Sequence, residues 1–173
     1  AVREGLVASA DAPAVAQLRR SGAVIIGKTN LHEFAFGTTN EDSAYGPARH
    51  PLDSTRSPGG SSGGSAISVA TGMALASLGT DTGGSIRIPA AACGLVGLKP
   101  SRDLVPTYPD IDPWGGLVAR LGVTRTVADT ALLLDVLAGP DNLASPQVRT
   151  DRAVSYLASL DGPVGPMRIA WTT

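Results

Sequence analysis

Two serines in glycine-rich loops are the residues of this chain best suited to chemistry. Ser61 lies in a loop spanning residues 59–65, and Ser85 closes a second loop spanning residues 79–85. Glycines leave the backbone free to approach a ligand closely and to turn its amides toward it. A serine hydroxyl in such a loop can act as a nucleophile if a nearby group accepts its proton. One apolar stretch separates the two loops.

The elements that position these loops alternate between helices and short apolar strands. Capping residues, apolar periodicity and glycine or proline stops define their limits. The first predicted helix begins at Asp11 and ends at residues 21–22. Further helices are predicted over residues 65–72, 85–92, 126–137 and 151–160, with a helical turn in 30–36. The predicted strands cover residues 23–26, 74–78, 95–98 and 167–171, and a long ordered loop covers 37–58. This alternation predicts an α/β layer architecture.

The loop before Ser85 has the composition of an anion site. Because a helix is expected to follow it, the amides of Thr82, Gly83, Gly84 and Ser85 are expected to point into one small volume. Such donors stabilise an oxyanion by roughly 3 kcal/mol each, judged by the effect of removing one. Ser61 would then relay a proton between Ser85 and a more distant base.

A phosphate-loop pattern at residues 22–29 is interpreted as a coincidence. The four residues between its glycines should form the turn after a strand. Here they are Ala-Val-Ile-Ile, a sequence typical of the strand itself. We therefore expect a core strand and no nucleotide site.

A Gly-x-Ser-x-Gly pattern at residues 59–63 is also rejected as a hydrolase elbow. An elbow follows a hydrophobic strand directly, whereas residues 49–58 are polar and contain prolines. The usual hydrolase order also places a histidine after the serine, but His32 and His50 both precede it. We interpret His32 as a structural or surface residue and His50 as a loop residue without an evident partner.

Three further residues near the loops are given structural roles. Asp81 is expected to brace its own turn, since no second ligand stands at metal spacing. Arg87 is expected to orient the loop after Ser85 or to pair with a carboxylate. Cys93, between Ala92 and Gly94, is interpreted as a small buried residue.

Several separated motifs, in the right order, resemble the amidase signature family. They are residues 27–30, 33–35, 57–65, 79–90 and 93–100. This resemblance implies a layered α/β/α fold with a mixed central sheet. It also implies that residues 1–173 are the central part of a single amidase domain, with a lysine-bearing N-terminal segment and a C-terminal part outside the chain.

The resemblance implies Ser-cisSer-Lys chemistry. Ser85 would attack an amide carbonyl, and Ser61, after a cis peptide bond from Gly60, would take its proton. The amides of residues 82–85 would hold the oxyanion, and Ser62 would be a supporting hydrogen-bonder. The proton would pass through Ser61 to an uncharged lysine upstream of Ala1.

The two lysines of the chain do not match that position. Lys28 lies in a different family motif, and Lys99 follows the strand after Cys93. Neither inherits the catalytic role, so we expect the 173-residue piece alone to be inactive.

The main functional hypothesis is an amidase that hydrolyses a carboxylic amide without metal or organic cofactor. One alternative is the glutaminase subunit of a tRNA-dependent amidotransferase, which residues 108–121 disfavour. Another is a catalytically dead amidase-like interaction module, which the missing lysine leaves open.

Composition limits the partners and the location. A net charge of −1 and 4% aromatic residues disfavour nucleic acid. The weakly polar run at residues 66–79 is too short and too interrupted to cross a membrane. A single cysteine cannot form an internal disulfide, so we expect a cytoplasmic protein. The expected partner is a small-molecule amide, with a homodimer as one candidate assembly.

Overall fold

The computed structural model describes residues 5–106, 115–139, 155–168 and 170. Its helices and strands, in chain order, are α1 (Pro13–Arg20), α2 (Gly63–Ala70), β1 (Ala76–Asp81), α3 (Arg87–Ala92), β2 (Val96–Gly97), β3 (Ala119–Thr124) and α4 (Val127–Leu137). Two 3-10 turns cover Glu33–Ala35 and Ala158–Asp161. The combination of helices with a sheet confirms the predicted α/β class. In the described part of the chain, no helix is long and apolar enough to cross a membrane.

Three strands form the sheet of the described residues, in the order β1-β3-β2. β3 is antiparallel to both neighbours, with Ala76 opposite Thr124 and Asp81 opposite Ala119. The pairing among these strands is therefore antiparallel, where the resemblance predicts a mixed sheet. Sequence reasoning missed β3 because Gly122 interrupts its apolar pattern.

The hydrophobic core joins the sheet to α2, α3 and α4. Its fully buried side chains are Val69 of α2, Ile86 just before α3, Leu121 and Val123 of β3, and Leu137 of α4. Burying such a side chain contributes about 1.5–3 kcal/mol. This packing places the N-terminus of α2 beside β1, which carries the chain into the loop before Ser85.

The predicted caps of α1 and α4 are confirmed. α1 begins at Pro13 and its C-cap residue is Ser21. At α4, the Thr126 hydroxyl oxygen accepts a hydrogen bond from the Asp129 amide at 3.0 Å. This contact supplies a partner to one of the amides that a helix N-terminus leaves unpaired.

The predicted strand at residues 23–26 is wrong. These residues are neither helix nor strand, and Val24 and Ile26 are 83% and 70% exposed. An isolated extended segment leaves its backbone donors and acceptors unpaired, and no described strand lies beside it. Because neither a strand nor a following helix frames residues 22–29, the phosphate-loop pattern lacks its required context.

Other predicted elements shift or lie partly outside the described residues. The strand predicted at residues 74–78 is β1, displaced toward the second loop. Residues 155–160 contain turns and a 3-10 turn in place of the predicted helix, and residues 167–168 are not in a strand. The other parts of those two predictions, residues 151–154, 169 and 171, lie outside the described residues.

The close packing of β3 against β1 and α4 predicts a glycine-specific effect on stability. A Cβ at Gly122 would overlap the Ser77 carbonyl oxygen and lie 2.9 Å from Leu133 Cδ2. Gly122→Ala should therefore lower the free energy of unfolding by about 2 kcal/mol. The measurement is urea denaturation of the full-length protein, followed by circular dichroism.

Gly27→Ala is the matched control, because nothing lies within 4 Å of its added Cβ. Its unfolding free energy should stay within about 0.5 kcal/mol of the parent. Equal losses in the two variants would contradict the packing described for β3.

Candidate active site

The two serine loops adjoin through Ser62. Its amide donates to the Ser85 carbonyl oxygen at 3.1 Å. Its hydroxyl donates to the Thr80 carbonyl oxygen at 3.4 Å and accepts from the Thr80 amide at 3.3 Å. Ser62 thus joins the start of α2, the end of β1 and the residue predicted as the nucleophile. These contacts fit the supporting role predicted for it.

The backbone of Ser61 makes a hydrogen bond, whereas its hydroxyl makes none to the described residues. The Gly60–Ser61 peptide bond is cis, as the resemblance predicts. The Ser61 carbonyl oxygen accepts from the His32 amide at 3.0 Å. The residue is 1% exposed, yet its hydroxyl hydrogen-bonds to none of the described residues. Gly60 has no room for a side chain, since an added Cβ would lie 2.9 Å from the Asn40 amide nitrogen.

A cavity of about 350 Å³ borders Ser61 and Ser62. Thr29, Ser65 and Arg120 share its lining with apolar residues from α1, β3 and α4. The Ser65 hydroxyl donates to the Leu78 carbonyl oxygen at 2.7 Å.

In the described part of the chain, Ser85, Lys28 and Lys99 do not contribute to the lining. The cavity therefore gives space beside Ser61 but brings neither described lysine to it.

Three of the four amides predicted for an oxyanion site are uncommitted. Within the described ranges, the amides of Thr82, Gly83 and Ser85 donate to no other residue. The Gly84 amide differs from the prediction, because it donates to Asp81 Oδ1 at 2.8 Å. Gly84 has a φ of +127°, a conformation that favours glycine. Ser85 is half-buried, and its hydroxyl also lacks a partner among these residues.

A buried carboxylate shapes this loop. Asp81 is fully buried and accepts from the amides of Gly84, Ile86 and Arg87 at 2.8, 3.2 and 3.3 Å. It also accepts from Arg87 Nε at 3.0 Å and Nη2 at 2.9 Å. The bracing predicted for Asp81 and the pairing predicted for Arg87 are both present.

The hydrogen bonds determine the charge state of Asp81. Burial raises the pKa of the carboxyl group, but the hydrogen bonds from the Arg87 side chain and from the Ile86 and Arg87 amides outweigh it. The net pKa of Asp81 is therefore lowered, and the group is a carboxylate at neutral pH. A carboxylate offers acceptors only, as an inward-facing ring of N–H donors requires.

The remaining polar candidates have structural contacts. His32 is buried, as its predicted structural role allows. His50 has a partner that sequence reasoning missed: its Nε2 lies 2.9 Å from the Ala92 carbonyl oxygen, and its Nδ1 accepts from the Leu52 amide at 3.2 Å. Cys93 is buried beside the Pro58 carbonyl oxygen, and this burial raises the pKa of its thiol. A thiol with a raised pKa is a poor nucleophile at neutral pH.

Sequence reasoning also missed Asn40. Its side-chain Oδ1 accepts from the Gly63 amide at 3.1 Å, although the two residues are far apart in sequence. No local motif signals a contact of this kind. Among the described residues, no group of three metal-binding side chains is close enough to hold an ion.

The amino-acid sequence of the chain is similar to those of known proteins. The family model described as Amidase matches residues 1–173. The chain belongs to the amidase family. It is 53% identical over 159 residues to a glutamyl-tRNA(Gln) amidotransferase subunit from Nitratidesulfovibrio vulgaris (strain DP4), covering 91% of this chain and 32% of that protein.

Solved amidase-family structures share the fold. 6-Aminohexanoate cyclic dimer hydrolase superposes with a TM-score of 0.89 at 38% identity, over 95% of this chain and 34% of that one. The peptide amidase from Stenotrophomonas maltophilia superposes with a TM-score of 0.77 at 38% identity, over 87% of this chain and 32% of that one. The chain spans about a third of the length of these relatives.

The contacts of Asp81 predict that its charge matters more than that of Arg87. Asp81→Asn places an NH2 group against N–H donors, so the loop before Ser85 should shift. We expect fluorophosphonate labelling of the full-length protein to slow about 10-fold or more. Arg87→Gln should slow labelling less, because Asp81 keeps its hydrogen bonds from the three backbone amides that shape the loop.

The lowered pKa of Asp81 also predicts a pH dependence of stability. A carboxyl group whose pKa is lower in the folded state than in the unfolded state stabilises the fold at pH values above its unfolded-state pKa. This stabilisation is lost as the pH falls through the folded-state pKa. The Tm difference between the parent and Asp81→Asn should stay constant from about pH 7 to 5 and shrink below about pH 4. A difference that disappears above pH 5, or slower labelling in Arg87→Gln than in Asp81→Asn, would contradict this role.

Proposed function

We propose that the chain is the central part of one amidase domain and that the full-length protein hydrolyses a carboxylic amide. The observation that carries the proposal is the junction of the two loops. The Ser62 amide donates a hydrogen bond to the Ser85 carbonyl oxygen, while the hydroxyls of Ser61 and Ser85 have no hydrogen-bond partner among the described residues. The amides of Thr82, Gly83 and Ser85, which donate to no other described residue, lie in the same loop as the Ser85 hydroxyl. Acyl transfer requires such donors near the attacking oxygen.

In the proposed reaction, Ser85 Oγ attacks the amide carbonyl carbon and its proton passes to Ser61. The carbonyl oxygen becomes an oxyanion that the three uncommitted amides stabilise. The carbon–nitrogen bond then breaks, and the leaving nitrogen takes a proton delivered by Ser61. Water then attacks the acyl carbon of the resulting ester on Ser85. One of its protons passes through Ser61 to Ser85 Oγ as the ester bond breaks, and the acid is released.

The proposed base is a lysine that acts through Ser61 from outside this chain. This assignment comes from the family resemblance and is supported by the space beside Ser61. Of the described residues lining that cavity, none is a lysine. Lys28 is exposed, and neither it nor Lys99 reaches the cavity.

A second candidate is the glutaminase subunit of a tRNA-dependent amidotransferase. The 53% identity to a subunit of a glutamyl-tRNA(Gln) amidotransferase favours it. The likeness to solved amidases that hydrolyse other compounds supports a stand-alone enzyme. A panel containing glutamine and simple carboxamides separates the two: preferential glutamine hydrolysis that requires added partner proteins would favour the second candidate.

We also infer a cytoplasmic protein. The single cysteine offers no internal disulfide, which accords with a reducing compartment. The proposed substrate is a small-molecule amide.

The proposed roles predict where a covalent inhibitor reacts. A fluorophosphonate should label the full-length protein at Ser85, and Ser85→Ala should abolish labelling because the attacking oxygen is lost. Ser61→Ala should slow labelling by about 100-fold or more, since general base assistance is lost. Peptide mass spectrometry locates the adduct.

Ser68→Ala is the matched control, because its hydroxyl donates to the Ser65 carbonyl oxygen and does not line the cavity. It should label like the parent. Retained labelling in Ser85→Ala, or an adduct on Ser61, would overturn the assignment of the nucleophile. Absence of any adduct in the folded parent protein would favour a catalytically dead module.

A further inference from the structure

Asn40 occupies a buried position beside the first serine loop. It is 0% exposed and has a φ of +59°, a left-handed conformation in which asparagine is several-fold enriched. Its carbonyl oxygen accepts from the Ala48 amide at 3.0 Å, which fixes its backbone. The backbone of Asn40 is thus fixed independently of its contacts with the serine loop.

The side chain of Asn40 performs the capping that Ser62 does not. Ser62 is the N-cap residue of α2, but its hydroxyl is engaged with Thr80. A helix N-terminus leaves its first amides unpaired unless other groups accept from them. Asn40 Oδ1 accepts from the amide of Gly63, the first residue of α2. The cap therefore comes from a distant segment of the chain.

Asn40 also packs against both sides of the Ser61–Ser62 pair. A Cβ on Gly60 would lie 2.9 Å from the Asn40 amide nitrogen, and a Cβ on Gly63 would lie 2.8 Å from Asn40 Cβ. The two glycines let the serine loop lie directly on Asn40. A displacement of Asn40 would consequently move the backbone on either side of Ser61.

The side-chain nitrogen of Asn40 makes no hydrogen bond that would stabilise this position in the described part of the chain. Its Nδ2 is buried and has no hydrogen-bond partner among the described residues. An unpartnered buried donor is unfavourable. Besides its tolerance of the positive φ, the Oδ1 contact with Gly63 is therefore what gives an asparagine an advantage here.

We propose that Asn40 is a positioning residue for Ser61, an inference that rests on the proposed function. By holding Gly63 and packing against Gly60, it fixes the Ser61 hydroxyl where proton transfer requires it. Ser61 must exchange protons with both Ser85 and the leaving nitrogen. A small displacement of it should therefore lower kcat far more than it alters KM.

The test compares an amide with a nitrophenyl ester of the same acyl group in the full-length protein. Asn40→Leu keeps the approximate shape of the side chain but removes the Oδ1 acceptor. We expect amide kcat to fall about 10- to 100-fold with KM nearly unchanged. The ester should lose several-fold less, because a phenolate leaves without a proton from Ser61.

Two further variants separate positioning from folding. Asn40→Asp retains an acceptor oxygen for the Gly63 amide, so it should restore the amide-to-ester ratio to near the parent value. Glu41→Gln changes an exposed neighbour whose carboxylate lies 3.8 Å from Arg49, and it should leave both rates unchanged. The ratio does not depend on how much protein is folded. If Asn40→Leu is not recovered, Asn40→Ala is measured in the same way.

The outcomes are distinguishable from a failure of the proposed function. Equal loss for amide and ester, or a normal ratio in both Asn40→Leu and Asn40→Ala, would overturn the role of Asn40. The role would also be overturned if Asn40→Asp folds while Asn40→Leu and Asn40→Ala do not, because Asn40 would then be needed for folding. If the parent protein hydrolyses neither substrate and labels at neither serine, the proposed function itself fails.

Discussion

The hydrogen bond from the Ser62 amide to the Ser85 carbonyl oxygen is the contact on which the candidate site depends. It joins two residues that are separated in sequence by all of α2 and β1. The pairing of the Ser62 hydroxyl with both backbone groups of Thr80 fixes the same junction from the other side. Because a peptide bond is rigid, this contact also sets where the neighbouring Ser61 lies.

The second loop is shaped before any substrate binds. Asp81 gathers the amides of Gly84, Ile86 and Arg87 around one buried carboxylate, and Arg87 balances its charge. In the described part of the chain, the amides of Thr82, Gly83 and Ser85 donate to no other residue. Donors fixed in advance stabilise developing charge without reorganising during the reaction, which is the main source of oxyanion catalysis. In the proposed reaction, the Asp81 carboxylate is important to catalysis although it touches no substrate.

Local sequence signals predicted the parts of the fold that depend on neighbouring residues. The proline start of α1, the Thr126 cap of α4 and both serine loops lie where their residue types indicate. Parts that depend on distant partners were missed or misplaced. β3 contains Gly122 and gains its stability from pairing with β1, while the apolar residues 23–26 have no described partner strand. The contacts of Asn40 with Gly63 and of His50 with Ala92 likewise span long stretches of chain.

The central claim is that Ser85 carries the acyl group and that Ser61 moves the proton. It is tested most directly by acid-quenching the full-length protein during turnover of an amide and mapping the acyl group by peptide mass spectrometry. The account predicts an acyl ester on Ser85 whose formation slows in Ser61→Ala. An acyl group on Ser61, or turnover with no covalent adduct on either serine, would contradict it.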